Sequence, residues 1–202
     1  MMNWDSVQPA LEKRGFHTRR FANAQEARKA LLAEIPDGAT IGLGGSVSVQ
    51  TLDVEAALTA RGCTFYNHSA VAPELVRETL LNAQFADYYL ASSNAVTSDG
   101  VLYNIDGRGN RVTAMLFGTN KLILIIGCNK IVPEGEDGFA RIRREACGKN
   151  CRRLQKKTPC ALTDHCAECT PQAGRICNAF VKMEAPAGRD TELWLVDEAL
   201  GY

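Results

Sequence analysis

The apolar positions of this chain fall in short runs separated by amphipathic stretches. Residues 121–126 (Lys-Leu-Ile-Leu-Ile-Ile) give the strongest strand signal, apolar at successive positions and so on both faces. That pattern suits the centre of a parallel sheet, which is covered from both sides. Residues 16–21, 39–43, 63–66 and 88–91 predict further strands, and 176–183 and 192–196 two late ones. Helices are expected between them. Residues 5–14 end at Gly15. Asn23 followed by Glu26 resembles a capping box, and Ala27, Leu31, Leu32 and Ile35 then form one apolar face. Residues 49–60 read as a single helix stopped by Gly62, and 73–82 as a helix with proline at its first position. Residues 138–157 read as a basic helix. Helices alternating with short apolar strands predict an α/β fold, a mostly parallel sheet with helices on both faces. We expect one domain over 1–202, with a cysteine-rich segment over 147–177 inside it.

Composition narrows the functions. Lys plus Arg number 23 and so do Asp plus Glu, so no global field draws the chain to nucleic acid or membrane. Residues 1–20 lack an apolar core followed by a small-residue cleavage site, and no run approaches a membrane span. The cytoplasm is the expected compartment. There, eight cysteines are not expected to form a disulfide framework.

Two polar segments are candidate ligand contacts. Gly42-Leu43-Gly44-Gly45-Ser46-Val47-Ser48 follows a strand and opens a helix. Glycines let backbone approach a ligand, and a helix N-terminus offers N–H groups to an anion. The segment is neither a P-loop nor a clean G-x-G-x-x-G, and a tight capped turn explains it as well. Downstream, two Asp-Gly pairs flank a short apolar run, which reads as hairpin chemistry. That stretch brings Asn94, Asp99, Asn104, Asp106 and Arg111 close in sequence. Singly, each is explained by turn formation; together they suggest a site at strand ends. The candidate ligand-binding set is Gly44, Gly45, Ser46, Asn94, Asp99, Asn104, Asp106 and Arg111.

The cysteines are unevenly placed, six of them between Cys147 and Cys177. Cys160-x5-Cys166-x2-Cys169-x7-Cys177 contains one C-x-x-C, a turn that presents two thiolates to one ion. Four thiolates suit tetrahedral zinc or an iron–sulfur cluster. A loop with Pro159, Pro171 and Gly174 has little core, and a metal would stabilise it. The alternatives are reduced structural cysteines or a C-x-x-C redox pair. Cys147 and Cys151 share a helical face; they are read as optional added ligands, a redox pair or packing residues. His165 adjoins Cys166 and could ligate, though a lone histidine beside a ligand is more often a bystander. Arg141, Arg143, Arg144, Lys149, Arg152, Arg153, Lys156 and Lys157 are read first as a solvated helical face, with an anionic ligand or a partner as alternatives.

Ser93-Asn94-Ala95-Val96-Thr97, the Asn104-Ile105-Asp106-Gly107 segment through Arg111, and Thr158-Pro159-Cys160 through Cys177-Asn178 together resemble the LUD-domain family. This is the lactate-utilisation family, also called DUF162. The resemblance implies a fold similar to the ribose-phosphate isomerase and CoA-transferase group. Because some relatives act with iron–sulfur proteins in lactate oxidation, it also implies a redox accessory protein. Its cofactor would be an iron–sulfur cluster of the 4Fe-4S type, with zinc as the alternative, held by Cys160, Cys166, Cys169 and Cys177. Its partners would be iron–sulfur oxidoreductase subunits; a homodimer is left open. Two features depart from the family pattern. Ser98-Asp99 replaces an acidic pair, so a glutamate nucleophile of the CoA-transferase kind is not evident. Cys147 and Cys151 stand where small residues are expected. The competing functions are an enzyme or sensor for a small anionic metabolite (a carboxylate, sugar phosphate or CoA ester) and a zinc-stabilised interaction protein.

Overall fold

The apolar run at the centre of the sequence is also the centre of the sheet. In the computed structural model, which describes residues 3–118 and 120–202, it forms a strand over Lys121–Gly127. Leu122, Leu124 and Ile126 join one hydrophobic cluster, Ile123 and Ile125 another on the opposite face. Period-two geometry makes this unavoidable, because alternate side chains point to opposite sides.

In chain order, α1 (Trp4–Lys13) precedes β1 (His17–Phe21), α2 (Ala24–Glu34) and β2 (Thr40–Leu43). Next come α3 (Val47–Gln50), α4 (Glu55–Thr59) and β3 (Thr64–Tyr66). A 3-10 turn at Pro73–Leu75 leads into α5 (Val76–Gln84), then β4 (Tyr88–Ala91), β5 (Ala95–Val96), β6 (Leu102–Asp106) and α6 (Asn110–Leu116). After β7 (Lys121–Gly127) follow α7 (Gly138–Ile142), α8 (Gly148–Arg153), α9 (Pro159–Thr163), β8 (Ala179–Met183) and β9 (Thr191–Val196).

Six strands form a parallel sheet in the order β1-β9-β7-β4-β2-β3, and β5-β6-β8 form a small antiparallel sheet beside it. The α/β expectation holds, and the second sheet is an addition. No described helix is long and apolar enough to cross a membrane.

Local chemistry explains most elements. Asn23 Oδ1 accepts from Glu26 N at 3.0 Å, and Glu26 Oε2 reaches back to Ala22 N, also at 3.0 Å. The cap forms as expected, displaced by one residue on its return bond. Three expectations change. The helix expected over 49–60 is two short helices, because Asp53 takes a left-handed φ of 46° between them. The second Asp-Gly pair makes no hairpin. Asp106 instead accepts from the backbone N–H groups of Arg108, Gly109, Arg111 and Val112 at 3.0–3.2 Å and turns the chain into α6. The basic helix over 138–157 is interrupted by a π-turn at Arg143–Cys147 and ends at Arg153. Such π-turns carry one extra residue per turn, and they recur at functional sites.

Candidate functional site

Connections at the C-terminal edge of the parallel sheet diverge between β2 and β4. From β2 the chain runs outward to β3; from β4 it runs the other way to β7. A crevice opens at such a divergence and is the usual ligand position in open α/β sheets. Here it holds a cavity of about 600 Å³. Residues just past five strand ends line it: Gly44 after β2, His68 after β3, Ser92 after β4, Lys130 after β7 and Gly201 after β9.

Of the eight candidate ligand contacts, Gly44, Gly45, Ser46, Asn94, Asp106 and Arg111 line the cavity. Gly44 is closely fitted: a Cβ there would stand 3.1 Å from the Arg111 stem, tighter than ordinary contact. Gly45 has a φ of +74°, a backbone that side chains resist. Ser46 caps α3 by accepting from Val49 N at 3.4 Å. With only four residues, α3 is too short to offer an anion the dipole of a full helix. Asn104 lies fully buried behind the wall. Asp99 is remote: it pairs with Arg14 at 2.9 Å at an exposed turn.

The wall's two buried cations are held differently. Arg111 is saturated. Its Nη1 donates to Ser92 O at 3.1 Å and Asn104 Oδ1 at 2.5 Å, and its Nη2 to Asn94 Oδ1 and Ile105 O at 2.9 Å. Asn94 and Asn104 therefore brace Arg111, which makes it a clamp between the two sheets. Lys130 is 3% exposed, yet its Nζ reaches only Ser48 Oγ at 3.3 Å and Ser93 O at 3.4 Å. Those lengths exceed the usual range. Among the described residues it forms no ion pair. Burial, and then the neighbouring guanidinium groups of Arg141 and Arg111, push its pKa down to about 7. Arg141 was expected on a solvated face. Instead it is buried, donating to Asn94 O at 2.9 Å and Asn129 O at 2.6 Å.

His68 lines the same space, its Nδ1 without a hydrogen-bond partner among the described residues, and burial lowers its pKa. Arg108, Arg153 and Lys156 complete the cationic lining. Sequence reasoning passed over Lys130 and His68. A signal for Lys130 existed: it stands three residues past the strongest strand, where parallel sheets place ligands.

The cysteine segment contributes to the same wall. Cys147, Cys151 and Cys177 line the same cavity. Cys147 Sγ lies 3.7 Å from Cys177 Sγ, and Cys151 Sγ 3.7 Å from Cys160 Sγ. The hydrogen bond with Cys147, helped by Arg175 and Arg143, draws the Cys177 thiol down to about 7, while Cys147 moves up. Burial raises Cys151 to about 11. Cys166 is exposed and Cys169 half-buried. Two thiolates on one tetrahedral zinc at 2.3 Å stand about 3.8 Å apart, so each pair has the spacing of one edge of such a centre. Among the described residues, no three His, Cys, Asp or Glu side chains converge on a single metal position. The thiols approach one another in twos, Cys147 with Cys177 and Cys151 with Cys160.

A family model described as the LUD domain matches residues 5–193. A crystal structure of a DUF162 family protein from Deinococcus radiodurans superposes with a TM-score of 0.51 over 97% of this chain and 99% of that one. At 12% identity the likeness concerns the fold alone. The comparison with curated proteins gives no match. With nearly its whole length matched, the chain belongs to the LUD-domain family.

Proposed function

We propose that this protein binds a small anionic metabolite, a carboxylate or phosphate ester, in the cavity at the C-terminal edge of its sheet. One observation carries the reading. The lining holds four cationic side chains (Arg108, Arg111, Arg153 and Lys156), with Lys130 beside them, against one acidic one, Asp106. Asp106 is already engaged by four backbone N–H groups. A concave wall with that imbalance attracts anions and focuses their approach. The glycine turn keeps one side open, with Ser46, whose oxygen accepts from Val49 N, supplying a hydroxyl. A thermal-shift screen with carboxylates, sugar phosphates and CoA esters tests the reading. Protection by at least one class, lost in Gly45→Trp, is expected. A properly folded protein with no hit from any class contradicts it.

The thiol pairs favour a second reading, a redox accessory role beside iron–sulfur oxidoreductases. Cys147 with Cys177 and Cys151 with Cys160 would hold an iron–sulfur group, with Cys166 and Cys169 as nearby donors. Bound there, it would supply one-electron transfer. Protein purified without oxygen should then contain iron and acid-labile sulfide. A colourless protein with stoichiometric zinc would refute this reading and support a zinc-stabilised one.

A further inference from the structure

We propose that Lys130 forms a reversible imine with the carbonyl carbon of a small anionic keto compound bound in the cavity. The proposal deepens the anion-binding reading and rests on it. Its geometric basis is the contrast between the two buried cations. Arg111 spends its guanidinium on four protein oxygens. Lys130 is as deeply buried and lines the cavity, but no carboxylate among the described residues answers its charge. A lysine built only to stabilise the fold would be paired or would snorkel to water. This one ends in a polar recess with two long contacts.

The surroundings suit a nucleophile. Ser48 Oγ donates its proton to Leu200 O at 3.0 Å, so its lone pairs face Lys130 Nζ as acceptors. Ser93 O is likewise an acceptor. Neither removes the charge, and the guanidinium groups of Arg111 and Arg141 oppose it. A lysine beside other cations in a desolvated pocket is the standard arrangement for a neutral, nucleophilic amine near physiological pH. Arg108 and Lys156 remain for the ligand's anionic group, and Arg153, which donates to Tyr202 Oη and Asn150 Oδ1, adds its charge.

The reaction balances without an oxidant or reductant. The Nζ lone pair attacks the carbonyl carbon, and the C=O π bond opens to a hydroxyl. The nitrogen gives up its protons as the hydroxyl departs as water, leaving C=N in place of C=O. His68 lines the same cavity and can exchange protons there.

The test incubates the full chain with pyruvate, and separately with dihydroxyacetone phosphate, then adds sodium borohydride to reduce any imine to a stable secondary amine. Intact mass and peptide mapping should show one adduct per chain, on Lys130. L-Lactate and glycerol 3-phosphate lack the carbonyl; they should raise the melting temperature without adduct and suppress trapping by their keto counterparts. Lys130→Arg keeps the charge and should lose the single-site adduct. Mapping on the unaltered protein keeps the test valid if that variant fails to fold. Absence of an adduct on Lys130, with the hydroxy analogues still protecting, overturns the imine and leaves anion binding standing. Absence of both trapping and protection overturns both.

Discussion

Replacing Lys130 with methionine should stabilise this protein at low pH, a sign opposite to most core substitutions. The buried ammonium has an ordinary pKa of 10.5 when unfolded and about 7 when folded. Below pH 7 both states carry the proton, and the folded state bears the full penalty of a desolvated charge. Between pH 7 and 10.5 the unfolded chain binds more protons than the folded one, so wild-type stability rises with pH across that window. Above 10.5 the penalty is gone. At 1.36 kcal/mol per pH unit the penalty reaches about 5 kcal/mol. Methionine removes the charge and keeps much of the aliphatic stem. It also forfeits the two long hydrogen bonds, which contribute about 1 kcal/mol. A net gain of roughly 1–4 kcal/mol at pH 6 follows, shrinking toward zero near pH 10. Urea denaturation of both proteins at pH 6, 8 and 10 reads this directly from the midpoints. A methionine variant less stable than wild type at pH 6, or a difference independent of pH, would show that Lys130 is not an isolated buried charge. Sites kept for function commonly carry such a stability cost.

Other substitutions probe the remaining wall. Arg111→Met removes the donor of four hydrogen bonds, two of them fully buried, and should cost about 3–5 kcal/mol in urea unfolding; a loss below about 1 kcal/mol would contradict the clamp. Gly42→Ala places a Cβ against the Ala83 carbonyl and the Tyr89 ring, so a destabilisation of about 1–3 kcal/mol is expected, and an unchanged midpoint would refute it. Mild diamide oxidation of metal-free protein should yield Cys147–Cys177 and Cys151–Cys160 disulfides by peptide mapping. The first should form faster as pH rises through about 7, where Cys177 ionises. Pairing of Cys177 with Cys166 instead would show that the wall is arranged differently.

Much of the fold was legible because its signals are local. The both-faced run at 121–126 became the central strand, and strand 88–91 kept its limits, since hydrophobic period and strand length reside in consecutive residues. Errors arose where a distant contact decides. Asp99 and Asp106 each precede glycine, yet one makes an exposed turn and the other caps a helix. Arg141 looks like its basic neighbours but is buried, because its face of the helix meets Asn94 and Asn129. The π-turn that ends on Cys147 left no trace in the pattern of apolar residues.

By itself, the sequence determined the class of fold, the glycine turn after β2, the polar segment from Asn94 to Arg111, and the concentration of thiols near the C-terminus. Each follows from residue type and spacing along one stretch of chain. Only the tertiary structure decided that these features share one cavity, that Cys147 faces Cys177 and Cys151 faces Cys160, and that Lys130 sits among them without a carboxylate. Those facts depend on which strand ends lie side by side, and sheet order is set by packing between segments far apart in sequence.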